Sequence, residues 1–275
     1  MKWFKRITLA LVILIAPVLI FFLYIVFQTS SLSNPFEPPE MAVAKYASRD
    51  VVGDLGGVPV NIPRHFANYV EYEGDPGWGE KRKGPKPKRT HQSKLTSFGY
   101  YTRFPDMAGE SSFELVKDKS SYSIHTTPWV NVGVTTGNIY PGNGFLDRRS
   151  ATMKDSILNY KQYEKLPETE HGLTVYAAAG FDPETNKPYR EHTYAKDIFL
   201  HRDYTNHVDT YISCSNRLTG SQPCEHTFSL EPHMQAKVYV QYRRTLLPHW
   251  REIQQALTQQ ILGFKAASTN TSVNP

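Results

Sequence analysis

VDTYISC (208–214), CEHTFSL (224–230) and AKVYVQY (236–242) follow one another with only two short links between them, SNRLTGSQP and EPHMQ. Each run is rich in β-branched and aromatic residues, and in the last Val238, Val240 and Tyr242 alternate with polar neighbours, as on a half-buried strand. Three such runs at this spacing predict an antiparallel meander. Pro248 then suits the first position of a helix, and Trp250, Ile253, Leu257, Ile261 and Phe264 recur at steps of three and four residues. That is the apolar stripe of an amphipathic helix, best buried across the sheet. The fold class this implies is α+β: a mainly antiparallel sheet packed by one or two helices, including an amphipathic carboxy-terminal one.

The meander also carries both cysteines. Cys214 ends one run and Cys224 begins the next, so the sulfurs are expected to meet across the base of a hairpin. Closing that loop is worth about 2.8 kcal/mol on chain-entropy grounds. The C-x-x-C spacing of a redox pair is missing, which favours a structural disulfide.

Working back from the meander, TYAKDIFLH (193–201) and LTVYAA (173–178) read as strands. Before them SATMKDSILNYKQY (150–163) places Met153, Ile157, Leu158 and Tyr160 at helical spacing, with Ser150 as N-cap and Pro167 as the stop. WVNVGVT (129–135) and LTSFGYYTRF (95–104) alternate as strands, the second with Phe98, Tyr100, Thr102 and Phe104 on one side; residues 112–118 suit a short helix. VVGDLGGVPVNIP (51–63) reads as a hairpin turning at Gly56-Gly57, with Pro59 and Pro63 marking an edge strand. Phe66, Tyr69, Val70 and Tyr72 continue as core. The folded domain is expected over 51–265, with 266–275 a tail without structure.

Between residues 73 and 94 the chain changes character. EGDPGWGEKRKGPKPKRTHQSK has almost no aliphatic residue, and Gly84-Pro85 and Lys86-Pro87 rule out a helix. Lys81, Arg82, Lys83, Lys86, Lys88, Arg89 and Lys94 therefore ride on an extended, mobile loop. They are the candidate contact with an anionic partner: lipid headgroups, cell-wall polymer or an acidic protein.

The amino terminus sets where such a partner would be met. ITLALVILIAPVLIFFLYIVF, Ile7 to Phe27, contains no charged residue and is long enough as a helix to cross about 30 Å of hydrocarbon. Lys2, Lys5 and Arg6 precede it, so residues 1–6 are expected in the cytoplasm and the rest outside. The run exceeds a signal-peptide core and no A-x-A-like site follows, which favours an uncleaved anchor. The organisation expected is a cytoplasmic tail (1–6), a transmembrane helix (7–27), a periplasmic linker (28–50) and a periplasmic domain. The partners that follow are the inner membrane, through Ile7–Phe27, and a periplasmic protein. Nucleic acid is an improbable ligand for an exported domain.

Composition leaves room for a real core: 13% of the 275 residues are aromatic, including 17 Tyr and 14 Phe, with a net charge of +5 and a mean hydropathy of −0.47. No catalytic pattern stands out. His201, Asp203, His207 and Asp209 are close in sequence but match no zinc spacing, and HExxH is missing. Asp182, Glu184 and Asn186 begin like a calcium loop, yet Lys187 stands where its glycine belongs and Thr193 where its glutamate belongs. G-x-S-x-G and the glycine-rich phosphate loops are missing too. The chemistry expected is therefore binding, with no catalytic residue, metal or cofactor. An envelope component holding polymer or lipid, or a hydrolase of unrecognised type, are the alternatives.

CEHTFSL, VYVQYRRTLLPHW and REIQQALTQQILGF, with VVGDLGGVPVNIPRHFANYVEYEGDPGWGEKRKGP, resemble segments of uncharacterised single-pass envelope proteins of proteobacteria. Proteins of this layout resemble the periplasmic immunity partners of type VI secretion effectors. The resemblance implies a protein that binds a toxin delivered into the periplasm and blocks it. It extends to architecture and identifies no binding residue.

Overall fold

A computed structural model of the protein describes residues 49–77, 79–155, 163–216 and 220–267. The expected membrane segment Ile7–Phe27, most of the linker, Ile157, Leu158, Tyr160 and residues 268–275 lie outside them. Among the described residues no helix is long and apolar enough to cross a membrane. Lys45–Pro275 forms a compact unit of its own.

The strands are β1 (Val51–Leu55), β2 (Val58–Ile62), β3 (Asn68–Tyr72), β4 (Lys94–Arg103), β5 (Ala108–Gly109), β6 (Trp129–Thr135), β7 (Tyr163–Glu170), β8 (Leu173–Ala178), β9 (Lys196–Arg202), β10 (Val208–Ser215), β11 (Pro223–Ser229) and β12 (Lys237–Arg243). They form one sheet in the order β2-β1-β4-β6-β12-β11-β10-β9-β8-β7, with β3 and β5 also paired to β4. Every pairing is antiparallel except the short one between β1 and β4. The helices are α1 (Phe113–Ser121), α2 (Phe145–Ala151) and α3 (Trp250–Leu262). The α+β class stands, with the amphipathic helix at its carboxy-terminal end.

The meander of β10, β11 and β12 lies inside the sheet, and the alternation of its residues decides what it buries. Ile212, Cys214, Cys224, Phe228, Val238 and Val240 point into one core. Into the same core α3 presents Trp250, Ile253, Leu257 and Ile261, all at most 3% exposed. Burying a side chain of this size is worth roughly 1.5–3 kcal/mol, so packing rather than intrinsic propensity holds the helix there. Cys214 and Cys224 face each other across β10 and β11 and are joined by a disulfide.

A polar seam runs inside this core. His226 is fully buried; its Nε2 meets Gln254 Oε1 of α3 at 2.8 Å and its Nδ1 meets the Tyr242 hydroxyl at 3.2 Å. The Thr210 hydroxyl donates to the same Gln254 oxygen at 2.9 Å. Since Gln254 Oε1 can only accept, the proton sits on Nε2 and Nδ1 accepts from Tyr242. Burial, opposed by the Gln254 bond, pulls the His226 pKa down to about 4, so the ring stays neutral in the fold. A neutral, fully bonded seam fixes which turn of α3 lies over which strand.

The opposite face is covered unevenly. Over β9 and β10, Phe145, Leu146 and Met153 pack on Ile198, Leu200 and Tyr211 as a second, smaller core. Along β4, β6 and β12 that face carries Tyr101, Asn131 and Gln241, none of them fully buried. Among the described residues it is the less covered side of the sheet, although Trp129 at its end is buried.

Several expectations need correction. Of the helix expected over 150–163, residues 156–162 lie outside the described residues; its described start belongs to the end of α2, which begins earlier and ends at Ala151. Gly144 at φ +72° launches it and the buried Phe145 and Leu146 anchor it, so Ser150 is no N-cap; its hydroxyl donates back to Asp147 O. Pro167 closes no helix but lies within β7, an edge strand whose register slips between Lys165 and Thr169, where a missing N–H costs no ladder bond. The strand expected from Thr193 begins at Lys196, because the chain still turns at Ala195. Tyr69 is not core. A register shift in β3 and a φ of +51° swing it outward, leaving it 86% exposed. The first residues of the tail are tied down as well: Asn61 N–H donates to Phe264 O and Ala266 N–H to Pro59 O, so the chain after α3 covers the exposed edge of β2.

Candidate binding site

The loop between β3 and β4 starts at Asp75, whose carboxylate organises it. Asp75 Oδ1 accepts from both Arg82 Nη2 and Arg89 Nη2, and Asp75 Oδ2 accepts from the Tyr72 amide at 3.1 Å. The Arg89 guanidinium also lies over the Tyr72 ring, 4.2 Å from its centroid, a cation–π contact. Tyr72 in turn donates its hydroxyl to Val52 O of β1 at 2.6 Å. Partial burial pushes the Asp75 carboxyl upward. The Arg82 bond, the Tyr72 amide and the two guanidinium charges outweigh it and hold the carboxyl below its ordinary range.

Extended backbone is as expected here, but the loop is pinned at two points rather than free along its length. Of the seven basic residues singled out, Arg82 and Arg89 hold Asp75, and Lys94 Nζ pairs with Asp54 Oδ2 at 2.6 Å. Those three build the loop. Lys81, Lys83, Lys86 and Lys88 remain, all exposed. Proline at 85 and 87 explains the split: a segment that cannot form backbone ladders is fixed instead by side chains that reach a carboxylate.

Pinning the loop creates a groove of about 990 Å³ between it and β1 and β3. Arg49, Arg64, Arg82, Lys86, Lys88 and Arg89 line it, against only Asp50 and Asp75. Six cations against two carboxylates leave a formal surplus of +4. Arg89 Nε is buried there without a hydrogen-bond partner.

A second groove, of about 430 Å³, lies at the end of the open sheet face. Tyr101, Trp129, Asn131, Gln241 and Arg243 form its floor and side, and Tyr122 and Ile124, after α1, form its rim. The rim is held in place because Arg243 donates through Nε to Thr127 O and through Nη1 to His125 O, at 2.7 and 2.6 Å. Lys119 is fixed over the Tyr101 ring, 3.8 Å from its centroid. Ile124 is nonetheless 66% exposed and Tyr122 39%. Tryptophan, tyrosine and arginine in a concave apolar patch are the residue types that anchor protein interfaces. The sequence reading did not find this groove. Alternation in β4 and β6 does assign Tyr101 and Asn131 to the face opposite Tyr100 and Val132, but no local pattern tells that the face is left open.

The histidine and aspartate cluster at 201–209 does not converge. His201 Nδ1 pairs with Asp209 at 2.7 Å, whereas His207 Nδ1 turns to Asp147 of α2 at 3.0 Å. Among the described residues no group of three or more His, Cys, Asp or Glu side chains could hold a metal ion. Asp182 to Asn186 is a turn: Asp182 Oδ1 accepts from the Glu184 amide and Asn186 stands at φ +52°.

No family model matches the chain, and no curated protein matches its sequence. Its fold is similar to that of Smlt3025, an immunity protein of the Stenotrophomonas maltophilia type IV secretion system, with a TM-score of 0.51 at 17% identity. The match covers 80% of this chain and 94% of that one. The likeness to immunity proteins drawn from the sequence is thus met at the level of fold; Smlt3025 itself belongs to a type IV system, whereas the resemblance named type VI.

Proposed function

We propose that this chain is a non-enzymatic immunity-type protein, which neutralises a secreted toxin by binding it. One observation carries the reading: a groove whose rim, Tyr122 and Ile124, is exposed and whose floor holds Tyr101, Arg243 and the buried Trp129, on a fold similar to that of an immunity protein. Arg243 bonds the backbone beside the rim before any partner arrives, which lowers the entropic cost of docking. In this reading Ile7–Phe27 anchors the chain in the inner membrane and the domain meets the toxin in the periplasm.

The test is growth rescue. Toxins encoded beside this gene are expressed in the periplasm with and without the chain, and binding to residues 45–275 is followed by calorimetry. Rescue by the wild type and its loss in Ile124→Asp, with affinity falling by a factor of about 30 or more as for an interface hot spot, is the expected result. Unchanged binding by Ile124→Asp and Tyr122→Ala would remove the groove from the account. The location is checked by fusion to the carboxy terminus, where alkaline phosphatase should be active and green fluorescent protein dark. The basic groove favours a second reading, an envelope component that holds cell-wall polymer or anionic lipid; Ile124→Asp should leave that activity intact.

A further inference from the structure

We propose that the groove around Asp75 is a docking site for phosphate-bearing lipid headgroups, which seats the domain on the membrane that its amino-terminal segment enters. The proposal rests on reading Ile7–Phe27 as an anchor, but not on the identity of any toxin.

Charge is the first reason. Asp75 is already satisfied by Arg82 and Arg89, so the groove does not neutralise itself. Arg49, Lys86 and Lys88 line it with no carboxylate partner among the described residues. The electrostatic demand of the site is therefore for an anion from outside. Lysines on a proline-spaced loop present hydrated point charges rather than the planar forks that select one bidentate ligand. Such charges suit a plane of phosphates better than one shaped molecule.

Position is the second. Arg49, two residues before β1, lines the groove. The site thus lies where the chain continues toward the predicted anchor. Residues 28–48, 21 in number, separate the two; fully extended they reach at most about 70 Å. A tether of that length keeps the whole domain, this groove included, at high effective concentration near the headgroups, and the groove's charge then selects the face that docks.

The experiment uses residues 45–275, a compact unit with its own core, so that the anchor cannot itself insert. The fragment is floated with vesicles of phosphatidylglycerol in phosphatidylcholine and with phosphatidylcholine alone. It should float with the first only, and binding should vanish in 1 M salt, where screening acts within about 3 Å. Lys86→Ser/Lys88→Ser should weaken flotation roughly twenty-five-fold, at about five-fold per basic residue at a membrane surface. A charge-matched control, Lys117→Ser/Lys187→Ser, removes two exposed lysines from elsewhere and should retain binding. Equal loss in both variants, or flotation that ignores the anionic lipid, would overturn the proposal. So would competition by free glycerol phosphate at concentrations that leave the salt screening unchanged, which would make this a small-anion site. Ile124→Asp should float as the wild type does, so failure of the immunity reading and failure of this one are separable.

Discussion

Two aspartates in this protein are each clamped by two arginines, and they differ in what surrounds them. Asp197 is 1% exposed; Arg190 donates to it twice at 3.0 Å, Arg244 once at 3.1 Å and Asn216 once at 2.8 Å. Arg244 also lies 3.8 Å from Glu170, so two cations meet two carboxylates. The group is closed and ties the 190 loop, β9, the end of β10 and the chain before α3 into one knot. Asp75 has the same clamp at the surface, inside a surplus of four positive charges. Arg82 and Arg89 are spent on it, whereas Arg49, Lys86 and Lys88 are not. A charge-balanced clamp around a fully buried carboxylate is a structural part, whereas an unbalanced one around a partly exposed carboxylate is a site that waits for an anion.

Asp197→Asn should break the comparison most strongly. It removes the buried carboxylate while Arg190 stays 44% exposed and Arg244 keeps Glu170, a loss of about 3 kcal/mol by urea unfolding, the low end for a broken buried pair. Asp75→Asn, at a carboxylate that is 17% rather than 1% exposed, should cost less, about 1 kcal/mol. Similar losses in the two variants would show that the surface clamp carries as much of the fold as the buried one.

Acid sharpens the contrast once a background is removed. His226 ionises near pH 6.5 when unfolded but only near 4 in the fold, so the native state is penalised as pH falls between those values. The full shift amounts to about 3 kcal/mol. Asp197 is pushed upward by burial, but the bonds from Arg190, Asn216 and Arg244 depress it overall. Its contribution is present above the unfolded carboxylate pKa and is lost only below it, as pH falls through the folded value. Stability of the wild type should therefore fall in two stages on acidification, and His226→Gln should flatten the first while leaving the second.

Reduction comes next in size. The disulfide closes the segment that carries Asn216, a partner of both Asp197 and Arg244. Dithiothreitol should cost about 2.8 kcal/mol. Asp197→Asn and reduction should then prove non-additive, since they act on one knot, while Asp75→Asn and reduction should add. Smallest of all, Lys86→Ser/Lys88→Ser should change stability by less than about 0.5 kcal/mol, since neither lysine holds anything in place.

Much of the fold was legible because its signals are local. Period two in residues 95–104, 129–135 and 236–242 and the three-and-four spacing of α3 each report which side of one element is apolar, and one element is all a short window covers. The start expected at Ser150 was misplaced for the same reason in reverse: its window held apolar spacing, but the start was set by Gly144 and by a pocket for Phe145 that other strands supply. The seven basic residues were legible as a cluster, yet the sequence could not divide them. Lys94 is separated from Asp54 by 40 residues, and Arg82 and Arg89 converge on Asp75 only after β3 and β4 have paired.

The sequence by itself determined an α+β domain built on a disulfide-closed meander, an apolar stretch long enough to cross a bilayer, and a basic loop, because periodicity, run length and charge are properties of neighbouring residues. Only the tertiary structure decided which cations are consumed and which face of the sheet stays bare. Pairing of charges and covering of surfaces join residues far apart in the chain, and no stretch of sequence contains both halves of such a contact.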